Sequence, residues 1–225
     1  MDQVTQIEGD ISRMASYWGA RKARWRDAAG IEFEKIVRPF ALYSDAPSRE
    51  GIDAANMCFT EWALFDRPLE RGRTPLQLYI ERRPDGVADL EVARLRQIEQ
   101  SQFFSRFEIV SKDAASGCAV LRDVRTGRRY LVHDPFLCAN NRWQDGTIAE
   151  RIGCVDDAWY VVGQARLYDH ATPAQTEHDG PGEIHPEDRG DPILRDAGFF
   201  LRLVRDVMGI EGRYTPTLSL FAEKR

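Results

Sequence analysis

The sequence predicts an α+β protein in which an N-terminal helical bundle packs on a small antiparallel β-barrel and a helix follows at the C-terminal end. Three observations support this fold class. Apolar residues recur at helical spacing through the first hundred residues, the spacing falls to about two near Phe103, and helical spacing returns after residue 191. The 225 residues suffice for one large domain or two small ones with a real core.

These changes of pattern divide the chain into four parts. A helical domain is expected over residues 1–102, and a β-barrel of the SH3-like or OB-like kind over 103–169. An acidic, Pro/Gly-rich exposed loop or linker is expected over 170–191, followed by a C-terminal helix and tail over 192–225. The strand pattern does not distinguish the two barrel types, which therefore stay open at this point.

Two helices are expected at the start of the chain. Asp10 is a suitable N-cap for a helix over residues 10–28, and Gly30 is a suitable stop. One stripe of this helix carries its large apolar residues, Ile11, Met14, Trp18 and Trp25. A second helix is expected over 32–43, where Pro39 either kinks or divides it.

The third helix is expected to run from its cap, Ser48, to about Asp66. It is apolar on most of its circumference, which is typical of a buried helix. Glu61 lies on this circumference, so its carboxylate needs either an arginine partner or a route to solvent.

The next helix has a strong start signal. Thr74 can cap it, Pro75 suits the first helical position, and Gln77 can complete a capping box with Thr74. A turn at Pro84-Asp85-Gly86 then separates it from a further helix over residues 88–102.

The second half of the chain is expected to form short strands and a last helix. The expected strands lie at 107–110, 119–124, 130–133, 147–155 and 159–168. A hairpin turn is expected at 125–128. Asp191 and Pro192 begin an amphipathic helix that should dock back on the fold, and the tail from Tyr214 either pairs as a strand or frays.

Composition and charge exclude several classes of protein. The net charge is −5, but residues 169–191 contain seven acidic residues and one arginine, so the remainder of the chain carries +1. A general nucleic-acid binder would show a basic excess. No window approaches the ~18 consecutive apolar residues of a membrane span. The first ten residues lack the pattern of a signal peptide, so we expect a cytoplasmic protein without membrane contact.

The four cysteines form no pair with the spacing of a zinc ligand set. They stand at Cys58, Cys118, Cys138 and Cys154. We expect reduced thiols, and at least Cys58 and Cys118 lie among apolar residues and are interpreted as core fillers. No cofactor is expected, because the Gly-rich phosphate-binding motifs are absent as well.

A metal site is one candidate for the chemistry of this chain. Three histidines of the acidic segment, His170, His178 and His185, have carboxylates beside them at Asp169, Asp179 and Glu183. Imidazole and carboxylate together suit zinc or a related divalent ion. No helix fixes the directions of these side chains, so solvated loop residues are the simpler interpretation.

Two further constellations lie in the expected barrel. His133 ends a strand and Asp134 follows it, an arrangement that serves either as a general base or as a simple turn before Pro135. Four arginines cluster at one hairpin, Arg122, Arg125, Arg128 and Arg129. Small barrels bind nucleic acids with such faces, although residues 103–168 contain nine bases and eight acids and are nearly neutral.

One block of the sequence resembles a known family. The segment FTEWALFDRPLERGRTPLQLY, which begins at Phe59, precedes the RFEIV and AVLRDVRTGRRYLVHD strands. It is similar to a poorly characterised bacterial family whose members often carry a SEC-C metal-binding motif. The match covers about residues 55–168 and rests on Trp62, Phe65, Asp66, Thr74, Pro75, Leu76 and Tyr79. The resemblance implies the helix-then-barrel architecture and a bacterial cytoplasmic setting, but no activity, and the SEC-C cluster is absent here.

The absence of a catalytic motif decides the functional expectation. We expect a non-catalytic interaction or regulatory module that binds protein or nucleic acid through the arginine hairpin, with no cofactor. The alternative is a metal-dependent hydrolase that uses the loop histidines and nearby carboxylates. A third hypothesis is a homodimer that exchanges its C-terminal helix across the long linker.

Overall fold

The structure is a computed structural model that describes residues 2–170, 173, 180–214 and 218–219. It confirms the α+β fold class, with N-terminal helices before a closed five-stranded barrel and a C-terminal helix after it. The helices in the described residues are α1 (Gln3–Gly19), α2 (Arg26–Val37), α3 (Phe40–Tyr43), α4 (Arg49–Phe65), α5 (Pro75–Arg82), α6 (Asp89–Ser101), α7 (Pro135–Ala139), α8 (Pro192–Asp196) and α9 (Gly198–Met208). None of the helices in these residues is long and apolar enough to pass through a bilayer.

The strands form one continuous sheet. They are β1 (Phe103–Asp113), β2 (Cys118–Asp123), β3 (Arg129–His133), β4 (Thr147–Val155), β5 (Ala158–Val161), β6 (Leu167–Asp169) and β7 (Leu218–Ser219). The order β1-β2-β3-β5-β4 closes into a barrel because β4 also pairs with β1, while β6 and β7 extend the sheet beyond β4.

The strand order identifies the barrel type. All pairs are antiparallel except β3 and β5, which run parallel at Val132 opposite Trp159. A five-stranded Greek-key barrel with this closure is OB-like, so the alternative that the sequence left open is decided in favour of the OB-like form. The expectation of a wholly antiparallel barrel is corrected at this one pair. After α7 the chain enters β4 beside β1, and β5 then turns back from β4 and closes on β3, so β3 and β5 run in the same direction.

A bulge in β1 permits the closure. The residues 103–108 of β1 pair with β4, and the residues from 107 onward pair with β2, with a register shift between Ile109 and Ser111. A bulge bends a strand and increases its twist. The single eleven-residue strand β1 can therefore pair with β4 in its first half and with β2 in its second half.

The apolar core has two parts, which meet at β4. Ile148 and Ile152 point into the barrel and pack with residues of the other strands. Ala149 lies on the opposite face of the strand. It belongs to the second core, which the helices form with the outside of the sheet. Alternate residues of one strand therefore belong to different cores.

The start of α1 corrects the expected N-cap. Asp2 caps this helix by accepting a hydrogen bond from Thr5 N, and Asp10 lies inside it with no exposed surface. The interior tolerates Asp10 because Arg13 and Arg94 both donate to its carboxylate, at 2.6 Å each. An aspartate that caps a helix cannot be distinguished by sequence from one that is buried in an ion pair when its arginine partner, here Arg94, is distant in the chain.

The helix expected over 32–43 begins earlier and ends earlier. It corresponds to α2, which contains Gly30 and ends at Val37, where Arg38 adopts a left-handed conformation with φ of 47°. Pro39 therefore divides the segment, as one of the two interpretations proposed, and α3 forms a separate short helix.

The other start signals act as the sequence predicts. Ser48 caps α4 and Asp191 caps α8 through their side chains. Thr74 and Gln77 form the complete capping box of α5. The C-terminal helix is broken at Gly198, whose φ is 77°, and α9 then packs on α2, α4 and β1 of its own chain.

The described end of the acidic segment, residues 180–191, is not an exposed loop throughout. Gly182 and His185 are buried against α9, where Asp206 accepts a hydrogen bond from Gly182 N at 2.8 Å and lies 3.4 Å from His185 Nε2. A buried carboxylate on α9 thus gives this segment a polar partner that its own composition does not indicate.

Replacing Thr74 with alanine removes one half of the capping box of α5. We expect a loss of about 1 kcal/mol in the free energy of unfolding, because Gln77 N then lacks its acceptor. Urea denaturation measures this loss. Thr74→Ser keeps the hydroxyl and is the matched control, so equal stability of the two variants would show that the cap has no effect.

Candidate functional site

A buried ion pair joins the helices to the barrel. Arg151 of β4 donates from Nε to Oε1 of Glu61 of α4 at 3.0 Å, and both side chains are only 1% exposed. Glu61 Oε2 accepts two backbone hydrogen bonds, from Gln164 N at 2.7 Å and from Ala165 N at 2.8 Å. The arginine partner expected for Glu61 is therefore confirmed, and the carboxylate also holds the loop between β5 and β6.

The remaining donors of Arg151 are also satisfied. Its Nη1 and Nη2 atoms donate to Asp66, and Nη1 donates to Gln102 Oε1 as well. The guanidinium lies over three aromatic rings, those of Phe65, Phe104 and Phe200. A buried charge is tolerated when it is paired and hydrogen-bonded, and each nitrogen of this guanidinium donates at least one hydrogen bond.

A cleft of about 710 Å³ opens beside this network. Asp66, Gln102 and Arg151 line it on the polar side, and Phe103 and Phe199 are among the aromatic residues that line it. Asp66 and Gln102 both bond to Arg151, and Glu32 pairs with Arg67 in the same lining.

The four hairpin arginines lie together, but most of them already have partners. Arg122 pairs with Glu108, and Arg125 pairs with Glu183 while its guanidinium stacks on the ring of Phe199. Arg128 lies over the ring of Tyr130 at 5.1 Å. Arg129 is exposed and makes no ion pair with any residue in the described part of the chain.

An aliphatic row follows the arginines on the outer face of β1, β2 and β3. Val120 lies directly opposite Leu131, and Val110 lies beside Val120 at the bulge of β1. Leu131 is 59% exposed and Val110 is 41% exposed. Sequence analysis singled out the arginines but not this row, although alternation along the strands places Val120 and Leu131 on the same face as Arg122 and Arg129.

The loop histidines do not share a site in the described residues. His170 Nδ1 lies 3.1 Å from the hydroxyl of Tyr168, whereas His185 contacts Asp206. His178 and Asp179 lie outside the described residues. Within those residues no group of three or more metal-ligating side chains is present. Glu183, a further expected ligand, pairs with Arg125.

His133 has a partner that sequence analysis did not connect with it. Its Nδ1 lies 3.3 Å from Cys118 Sγ, and its ring stacks on Tyr160 at 4.8 Å between centroids. The hairpin turn at 125–128 is the signal that could have revealed this pair, because its register places Cys118 opposite His133. Cys118 is half-buried, so its interpretation as a core filler is corrected. Asp134 caps α7 through Leu137 N, as the turn interpretation predicts.

A second buried ionic cluster lies inside the barrel. Asp134 and Glu150 are no more than 1% exposed, and Arg166 approaches both, with Nη2 at 3.3 Å from Asp134 Oδ1 and Nε at 3.8 Å from Glu150 Oε2. Burial raises the pKa of Glu150 well above its usual value, and the neighbouring Asp134 raises it further, although Arg166 opposes the shift. The environment of Glu150 therefore favours the neutral form of its carboxyl group more than water does.

Comparison with family models, with curated proteins and with solved structures found no match. The resemblance to the SEC-C-associated bacterial family therefore stays a prediction, and the functional argument rests on the geometry of this chain.

The raised pKa of Glu150 makes stability depend on pH. The unfolded chain loses the proton of this group above pH ~4.3, whereas the folded state keeps it until the pH passes its own, higher pKa, so the contribution of Glu150 to stability falls between these two values. Glu150→Gln mimics the protonated form. We expect the stability of the variant relative to wild type to grow as the pH rises from about 4.3 towards the folded-state pKa, by up to about 1.4 kcal/mol per pH unit.

Urea denaturation at four pH values tests this dependence. Glu50→Gln, at an exposed glutamate in the first turn of α4, is the control and should show no such growth. A relative stability of Glu150→Gln that is constant over the range would contradict a raised pKa for Glu150.

Proposed function

We propose that this chain is a non-catalytic interaction module that binds a segment of a protein partner on the outer face of its barrel. The observation that carries the proposal is the aliphatic row of the exposed Val110 and Leu131 and the half-buried Val120, bordered by Arg122 and Arg129. Exposed aliphatic side chains next to cations match an amphipathic segment that carries apolar side chains and carboxylates.

The position of the helices supports this face as the binding surface. Among the barrel strands, α6 packs mainly on β4 and α9 on β1, the strands on the side of the ion pair between Glu61 and Arg151. In an OB-like barrel the face of the second and third strands and its neighbouring loops are the usual binding surface. Here the loop at the end of that face carries Arg125 and Arg128.

The chemistry of the face favours protein over nucleic acid. Proteins that bind single strands stack bases on aromatic rings, and the middle of this face is aliphatic. Phosphate binding needs unpaired cations, whereas Arg122 and Arg125 are already paired with acids.

The closed barrel also determines how a partner is recognised. The five strands β1 to β5 pair around the whole barrel, so they offer no edge on which a peptide could add as a further strand. Recognition therefore proceeds through side chains of the face. The setting we propose is a bacterial cytoplasm, supported by the four cysteines, all of which are free thiols.

Peptides selected from a random displayed library against the whole chain provide a probe of this surface. We expect the selected peptides to combine apolar residues with acids, and Leu131→Asp and Arg129→Glu each to weaken their binding about tenfold by removing an apolar contact or reversing a charge. Affinity is measured by fluorescence anisotropy with each purified variant.

Leu90→Asp is the matched control, because Leu90 is 72% exposed on α6, away from the barrel face. Its affinity should stay within about twofold of wild type. Binding that survives both face variants would contradict the proposed surface. Retention of RNA or DNA that depends on salt and on Arg129 would instead assign the face to nucleic acid.

A further inference from the structure

Cys118 and His133 form a thiol–imidazole pair at the far end of the same strands. The distance between Sγ and Nδ1 is 3.3 Å, within the range of a hydrogen bond to sulfur, and the thiol also lies 3.6 Å from the carbonyl oxygen of Ser116. Tyr160 fixes the imidazole, because its ring stacks on that of His133 with an interplanar angle of 15°. Tyr160 is itself held by a hydrogen bond from its hydroxyl to Gln3 of α1.

The other three cysteines have different surroundings. Burial raises the pKa of the thiols of Cys58, Cys138 and Cys154, which keeps them protonated and unreactive. Cys154 is half-buried, like Cys118, but no imidazole contacts it among the described residues. It therefore serves as a comparison thiol within the same molecule.

We propose that Cys118 is an oxidation site, at which His133 accepts the thiol proton and the resulting thiolate reacts with a hydroperoxide. The sulfur attacks one peroxide oxygen, so that an S–O bond forms as the O–O bond breaks. The sulfur is oxidised by two electrons and the peroxide is reduced. The departing oxygen takes the proton from His133 and leaves as water when the hydroperoxide is hydrogen peroxide, and Cys118 becomes a sulfenic acid.

The arrangement supplies what this reaction requires. An imidazole nitrogen at hydrogen-bonding distance can take the thiol proton as the sulfur reacts, and partial exposure admits a small oxidant. The stacking on Tyr160 restricts rotation of the imidazole and keeps Nδ1 directed at the sulfur. This inference is independent of the partner proposed for the barrel face.

The test uses the whole chain with hydrogen peroxide and dimedone, which traps sulfenic acids. Tryptic cleavage separates the two thiols, since Cys118 lies in the peptide 113–122 and Cys154 in the peptide 152–166. At pH 7 we expect the adduct to form at Cys118 at least about tenfold faster than at Cys154. Rates within threefold of each other would overturn the proposal.

His133→Phe is the decisive variant, because it keeps an aromatic ring against Tyr160 and removes the proton acceptor. We expect the rate at Cys118 to fall about tenfold, while the rate at Cys154 stays unchanged. An unchanged rate at Cys118 would overturn the role of His133. Cys118→Ser should abolish the adduct on the peptide 113–122.

A second measurement applies if His133→Phe does not fold. In the wild type, alkylation by iodoacetamide at pH 7 should also be at least about tenfold faster at Cys118 than at Cys154, because among the described residues only Cys118 has an imidazole within hydrogen-bonding distance of its sulfur. Alkylation rates within about threefold of each other would overturn the proposal without any variant.

Discussion

The buried ion pair between Glu61 and Arg151 is the interaction on which the arrangement of this molecule depends. It links a helix in the first half of the chain to a barrel strand ninety positions later. The same carboxylate holds two amides of the loop between β5 and β6, and the same guanidinium holds Asp66 at the end of α4. Removing Arg151 would leave Glu61 buried without a cation, and removing Glu61 would leave the buried guanidinium with Asp66 as its one carboxylate among the described residues. Loss of one partner of a buried ion pair typically costs about 3–5 kcal/mol.

Local backbone shape is adapted to this pair. A Cβ at Gly163 would lie 2.6 Å from Glu61 Oε2, so a larger residue there would displace the carboxylate or the loop. The ion pair between Glu61 and Arg151 thus fixes α4, β4 and the loop between β5 and β6 relative to one another. It holds the helical layer against β4 and the start of β1. In the part of the chain that the structure describes, this placement leaves Val110 and Leu131 on the outer face of β1 and β3 exposed. The proposed binding face is in that sense a consequence of where the buried charges pair.

Local signals in the sequence predicted local structure well. The caps at Ser48, Thr74 and Asp191 and the hairpin at 125–128 depend on neighbouring residues, and the structure contains all of them. Asp10 shows where such reasoning ends, since its role is set by Arg94, 84 positions away. The need of Glu61 for a cation was visible, but its identity as Arg151 was not.

The candidate sites divide in the same way. The arginine cluster was apparent from composition, whereas the aliphatic row beside it required the strand register. Pairing across the predicted hairpin could have placed Cys118 beside His133. The contact between Glu150 and Asp134 could not have been derived, because it depends on closure of the barrel between β1 and β4. The sequence therefore predicts contacts within one turn or one hairpin. Contacts between strands that are distant in the chain depend on how the barrel closes and cannot be predicted in this way.

A double-mutant cycle on Glu61 and Arg151 tests the central claim most directly. The free energy of unfolding would be measured by urea denaturation for Glu61→Gln, Arg151→Met and the double variant. The account predicts that each single change costs about 3 kcal/mol and that the double change costs at least about 2 kcal/mol less than their sum, because no unpaired charge then remains buried. Additive losses would contradict the account, since they would show that the two residues act independently.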